Sequence, residues 1–253
     1  IMDPNTLSVM QGAAGAAGGE GLYVEDVFSV DLWEGTGSAQ TITNGIDLDG
    51  EGGLVWSKNR DSSASHLLND SERGIESGSY YSQLTTDTAA GNARFTPWGA
   101  SAFNSNGFSL GGSNAEFNLD DDDYVSWTFR KAPGFFDIVT WTGNDGGDRT
   151  LSHNLGSVPG CVIVKRTDGS MDWGVYHREL GTVQTDGLIL NDTDATGGSN
   201  INPIRSTPTS TQMEIRGGTN EYNTQDETYV AYLFAHDDQS FGEDEDESII
   251  KCG

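Results

Sequence analysis

The chain has 253 residues, 39 acidic against 13 basic, for a formal net charge of −26 and a pI near 4.1. That balance repels phosphate, so it excludes nucleic acid as a direct partner and disfavours docking on an anionic membrane surface. The 6 Trp, 8 Tyr and 10 Phe argue for a folded chain rather than a disordered acidic one. No apolar run reaches the about 18 residues that a membrane helix needs.

Residues 1–21 (IMDPNTLSVMQGAAGAAGGEG) are dominated by small residues after Leu7, Val9 and Met10. They lack a basic region followed by an apolar core, so they do not read as a signal peptide. Two readings fit: a flexible leader, or an arm that orders against a neighbouring subunit through Leu7, Val9 and Met10. From Leu22 onward, short β-branched and aromatic runs alternate with Gly, Asn, Asp and Ser clusters. YVEDVFSVDLW (23–33), GLVWSK (53–58), YVSWTFR (124–130), FFDIVTW (135–141), GCVIVKR (160–166), WGVYH (173–177) and YVAYLFAH (229–236) mostly alternate with period two. No window carries a 3.6-residue stripe of helical length, so the expected class is all-β.

The strongest internal signal is duplication. TITNGIDLDGEGGLVWSKNRD (41–61) parallels TLSHNLGSVPGCVIVKRTD (150–168), with Lys58 falling on Lys165. HLLNDSERG (66–74) parallels WGVYHRELG (173–181), Trp33 parallels Trp141, GFSLGG (107–112) parallels QMEIRGG (212–218), and DDDDYVSWTF (120–129) parallels QDETYVAYLF (225–234). Five segments keep one order at offsets between 105 and 108 residues, which chance does not produce. The expected organisation is an arm (1–21), a β-sandwich-like unit (22–132), a second unit repeating the first (133–240), and an acidic linker (241–253) that reads as the opening of a further repeat. Whether the units are separate sandwiches or halves of one layered body is left open by the pattern.

Motifs for chemistry are few. Cys161 and Cys252 make neither a disulfide framework nor a zinc pair. Asp121, Asp122 and Asp123, in a run of four aspartates, are candidate calcium ligands, but the run lacks alternating D-x-D-x-D spacing and reads more simply as a solvated turn. Unit two repeats that acidity at Gln225, Asp226 and Glu227. No metal or other cofactor is otherwise indicated, and no nucleophile–base pair or phosphate loop stands out. His153 falls at Thr43 or beside the inserted Asn154, and His177 falls at the place of Asp70. Trp33, Trp127, Trp141, Tyr124, Tyr229 and Tyr232 occupy repeated strand positions and are expected in the core. Trp56 has an aliphatic counterpart, Trp98 sits in a Pro-Trp-Gly loop, and Trp173 follows the Asp168-Gly169-Ser170 turn. Such aromatics are candidates for stacking on sugar or contacting a partner, with His177 nearby.

Several stretches together resemble a known domain family: GLVWSKNRD, AFNSNGFSLG (102–111), YVSWTFRKAPGFFDIVTWTG (124–143), TLSHNLGSVPGCVIVKR (150–166), WGVYHREL (173–180) and YVAYLFAHDD (229–238). The family has no assigned biochemical activity and recurs in structural, often tail-fibre-like, proteins of marine bacteriophages. RKAPGFFD and SHNLGSVPG are the most specific phrases, and the likeness covers nearly all of residues 22–253. The resemblance implies a non-enzymatic virion protein with other virion proteins as partners, and brings no catalytic residues with it. Two expectations follow. In one, the chain is a homo-oligomeric fibre or similar appendage docked through its arm, or a capsid decoration. In the other, it is a lectin-like module that reads host-surface glycans through Trp98, Trp173 and His177.

Overall fold

Short alternating strands cannot bury both faces alone, and here four of the five sheets stack to do so. The computed structural model describes residues 21–76, 80–91, 99–183, 185–193, 201–218 and 222–253. A four-residue helix α1 (Val24–Val27) leads into β1 (Phe28–Glu34). Unit one continues with β2 (Gln40–Thr43), β3 (Gly53–Asn59), β4 (Leu67–Asp70), β5 (Ile75–Glu76), β6 (Tyr80–Tyr81), β7 (Gln83–Thr85), β8 (Ala100–Asn104), β9 (Gly107–Leu110) and β10 (Asp123–Arg130). Unit two holds β11 (Phe136–Thr142), β12 (Arg149–Ser152), β13 (Pro159–Arg166), β14 (Gly174–His177), β15 (Leu188–Ile189), β16 (Gln212–Ile215) and β17 (Thr228–Ala235).

The duplication is structural as well as textual. Unit one has a five-stranded sheet ordered β1-β10-β3-β4-β7, and unit two has one ordered β11-β17-β13-β14-β15. All named pairings within them are antiparallel. Each large sheet faces a small one, β2-β9-β8 in unit one and β12-β16 in unit two, so both units are sandwich-like. Ile42, Val55, Phe103, Phe108 and Phe117 fill the first sandwich; Leu151, Val162, Val164, Met213 and Leu233 fill the second.

Register shows which residues are equivalent. Trp33 pairs with Tyr124 as Trp141 pairs with Tyr229, and Trp56 pairs with Trp127 as Ile163 pairs with Tyr232. Trp33 stacks on Tyr124 at 5.5 Å and 12°, and Trp141 stacks on Tyr229 at 5.3 Å and 12°. Lys58 and Lys165 each donate to the carbonyl of the following residue. The acidic run is a repeated turn. Gly35 N–H donates to Asp122 O and Gly143 N–H to Glu227 O, both at 2.8 Å. Asp121 and Asp226 take left-handed φ values of 65° and 63°, a conformation that aspartate tolerates in turns. Glycine is required opposite them, because a Cβ on Gly35 would lie 1.9 Å from Leu119 O and one on Gly143 would lie 1.8 Å from Thr224 O. His153 departs from the expected alignment: it takes the place of Asn44, not Thr43. Both follow the equivalent strand and accept the N–H two residues on, through Asn44 Oδ1 and His153 Nδ1.

The units are halves of one layered body. A third apolar cluster lies between the two large sheets, joining Leu54, Leu68 and Leu84 to Phe136, Trp173 and Tyr232. Phe129 sits at the junction, with ring centroids 5.5 Å from both Phe136 and Phe234. The phrases RKAPGFFD and SHNLGSVPG meet at the joint between the units. There Gly134 N–H donates to Leu155 O at 2.7 Å, and Asn154 N–H donates to the buried Asp137 at 2.7 Å. Residues 241–253 fold back on the joined sheets: Phe241 is buried, and Ile249 and Ile250 pack on the middle cluster.

Candidate functional site

The two large sheets are equivalent in order but not in cover. Where unit two lies over unit one, the seam is closed by polar bonds as well as apolar contact. Tyr232 donates to Asp70 at 2.7 Å, and Asp70 is ion-paired with Arg73, both side chains nearly or wholly inaccessible. Trp173 Nε1 donates to Thr85 O at 2.9 Å, and Lys165 Nζ donates to Ala89 O at 3.0 Å. Burial pulls the Lys165 ammonium down to about 8, and burial pushes the Tyr232 hydroxyl well above its ordinary range.

The far part of the unit-one sheet has no such cover among the described residues. Val30 is 52% exposed and Leu32 is 64% exposed on the edge strand β1. Next to them run Val125, Trp127 and Phe129 of β10, set by the pairings Val30–Trp127 and Leu32–Val125. Trp56 of β3 meets Trp127 edge to face at 6.3 Å and 72°. Trp56, His66, Trp127 and Phe129 line an open, almost wholly apolar groove of about 280 Å³.

His66 itself adds no charge to the groove, although the Lys58 ammonium stands on the same face opposite Val125. Trp56 Nε1 donates to His66 Nδ1 at 3.0 Å, which requires that nitrogen to be an acceptor. Burial first, and then the Lys58 ammonium, lower the His66 pKa from its ordinary value. The residues lining the groove include no carboxylate. The arrangement offers two indole faces and a neutral imidazole, which suits a flat apolar or aromatic surface and not a charged one.

The residues expected from sequence are placed differently. Trp173 is not a loop aromatic open to a glycan: it is fully buried under unit one, 6.0 Å from the Lys165 ammonium. It stands immediately before β14, and its backbone N–H bond to Asn191 Oδ1 and its indole bond to Thr85 O hold it in the seam. Trp127, expected in the core, lies on the open face because its repeat partner Tyr232 is the one that unit one covers. Trp56 lies on strand β3, as the run GLVWSK predicts, and is half-buried. Trp98 and the docking positions Leu7, Val9 and Met10 lie outside the described residues. His177 is half-buried at the end of β14 and accepts the N–H of Glu179 at 3.3 Å, so Trp173 and His177 make no common exposed site. Its register position does match Asp70.

Asp121, Asp122 and Asp123 do not converge as calcium ligands. Asp122 accepts from Asn59 at 2.7 Å, and Asp123 faces Arg60 at 3.6 Å. Among the described residues no group of three or more His, Cys, Asp or Glu is placed to hold a metal ion. Cys161 and Cys252 are free, half-buried thiols. Burial raises both, Cys161 to about 12, which leaves neither activated as a nucleophile at neutral pH.

The open face escaped the sequence reading because duplication suggested equal environments for equal positions. One signal was present: β1 is apolar on both faces, with Phe28, Val30 and Leu32 on one and Trp33 on the other. Its counterpart β11 carries Thr140 where β1 has Leu32.

Comparison with known proteins assigns the family and no activity. A family model described as "Domain of unknown function (DUF7483)" matches residues 24–242, and the chain belongs to that family. No curated protein and no solved structure matches the chain.

Proposed function

We propose that this chain is a non-enzymatic structural protein of a bacteriophage particle, part of a tail fibre or similar appendage. In this reading the N-terminal arm attaches it to the particle, and the open aromatic face of unit one docks a neighbouring protein subunit. One observation carries the docking role. A chain of net charge −26 leaves Trp56 and Trp127 in a groove whose lining includes no carboxylate, beside the exposed Val30 and Leu32, while Tyr232, the counterpart of Trp127, is buried. Apolar area left in water forgoes about 25 cal/mol per Å² of burial, and contiguous patches of this kind mark interaction sites. A groove lined by no carboxylate is also where two strongly acidic subunits meet with least repulsion. The resemblance of RKAPGFFD and SHNLGSVPG to virion structural proteins supports the particle setting.

Two indoles at 6.3 Å also favour a second reading, in which the face stacks on a host-surface glycan. The test has two parts. Immunogold labelling with antibody to the β units should decorate the tail or its appendages on purified particles. Gold spread over the capsid would move the protein to a head decoration, and absence of gold would overturn the virion assignment. The double variant Trp56→Ala/Trp127→Ala should then lose incorporation or host-cell attachment while keeping its melting temperature. Loss of attachment with normal incorporation would select the glycan reading. Wild-type behaviour in both assays would remove the aromatic face from the function.

A further inference from the structure

A second recess lies on the unit-two sheet, at the end that corresponds to the open face of unit one. It is a cleft of about 450 Å³ between the units. Thr140, Thr142 and Thr228 line it from β11 and β17, and Glu72, Arg73 and Ser82 line it from unit one. Its size falls within the range of about 300–1,000 Å³ that small-molecule sites occupy.

The cleft is built from hydroxyls where its repeat counterpart is not. Leu32, Glu34 and Asp123 of unit one stand at the positions of Thr140, Thr142 and Thr228. Thr167 extends the lining, and its Oγ1 lies 2.6 Å from Thr228 Oγ1. Ser82 is only 2% exposed, and its Oγ is buried with no hydrogen-bond partner among the described residues. A buried hydroxyl without a partner is unfavourable, so a polar group arriving in the cleft has something to satisfy.

Charge narrows the class of that group. Arg73 is already paired with Asp70, and Glu72 with Lys131. Among the described residues the cleft therefore presents paired ions and hydroxyls rather than an unpaired cation. On a chain of −26 that arrangement rejects phosphate or sulfate and suits a neutral ligand rich in hydroxyls. Glu72 supplies acceptor oxygens suited to a vicinal diol.

We propose that this inter-unit cleft binds a neutral polyhydroxylated ligand, one or two sugar units, through Thr140, Thr228, Ser82 and Glu72. The inference stands apart from the aromatic face and from the particle assignment, since it uses neither.

The isotope-labelled full chain, titrated with the methyl glycosides of glucose, galactose, mannose and N-acetylglucosamine, and separately with inorganic phosphate, tests it. At least one glycoside should shift the amide resonances of Thr140, Thr142, Thr228 and Ser82. Thr140→Val and Thr228→Val should each weaken that binding about tenfold or more, as expected for loss of a buried hydroxyl partner. Ser82→Ala, at the unit-one wall, should weaken it as well and guards against a local effect of the valines. The proposal is overturned if no glycoside shifts these amides up to tens of millimolar, or if the shifts fall on Trp56 and Trp127 instead. Full-strength binding by all three variants, or the same shifts with phosphate, overturns it too.

Discussion

The two large sheets share strand order and register, yet one face is covered and the other is open. On the covered face, Ile163 and Tyr232 lie under unit one, and Trp173 is buried beside Lys165. On the open face, the equivalent Trp56 and Trp127 frame a groove that ends at the exposed Val30 and Leu32. The difference teaches that duplication copies a strand pattern and not an environment. Unit two lies over the part of unit one that carries Leu54, Leu68 and Leu84, with Trp56 and Phe129 partly buried at its margin, and leaves Val30 and Leu32 exposed.

The contrast is broken most severely at the seam. Asp70→Ala strands the Arg73 guanidinium without its partner, and loss of one member of a buried pair costs about 3–5 kcal/mol. Denaturant unfolding of this variant should show that loss, and an unchanged midpoint would remove the pair from the account of the seam.

Next is the matched pair of tryptophans. Trp173→Ala should cost about 3–5 kcal/mol as a core truncation. Trp127→Ala, half-buried on the open face against Trp56, should cost clearly less, about 1 kcal/mol. Equal costs in calorimetry would show that the two faces are equally covered in solution.

Lys165 sharpens the comparison through pH. Its folded-state value is lowered from 10.5 to about 8, so between those values the unfolded chain binds more protons than the folded one. Stability from this group therefore rises as pH increases from about 8 toward 10.5 and is flat below that window. Stability profiles of the wild type and Lys165→Met should diverge across it, and parallel profiles would place Lys165 in contact with water.

The smallest effect on stability is expected at the rim. Leu32→Ser should change unfolding free energy by no more than about 0.5 kcal/mol. It should nonetheless lower self-association or partner capture measured by sedimentation, since it removes apolar area from the open face. A large loss of stability would mean that Leu32 is buried by something in solution already.

Much of the fold was legible in the text. Period-two runs located the strands, and the offset repeats predicted two like units, down to the equivalence of Lys58 with Lys165 and of Asp70 with His177. The acidic run read correctly as a turn, because Asp121 and Asp226 serve one backbone bend. The site was less legible. Trp173 looked exposed because a Gly-containing turn precedes it, but local chemistry sets where a strand starts and not what lies above it. Trp127 looked buried because it repeats as Tyr232, yet cover comes from the other unit.

Sequence by itself determined the class, the duplication and the parity of each strand, since side-chain alternation and turn chemistry are local properties. Tertiary structure alone decided how far one sheet overlaps the other. That overlap depends on the sum of contacts at Phe129, Phe136 and Phe234, on the Asp70–Arg73–Tyr232 network, and on the meeting of Gly134 with Leu155. These are long-range contacts between faces that are both apolar, so no strand pattern could say which part of which face would stay in water.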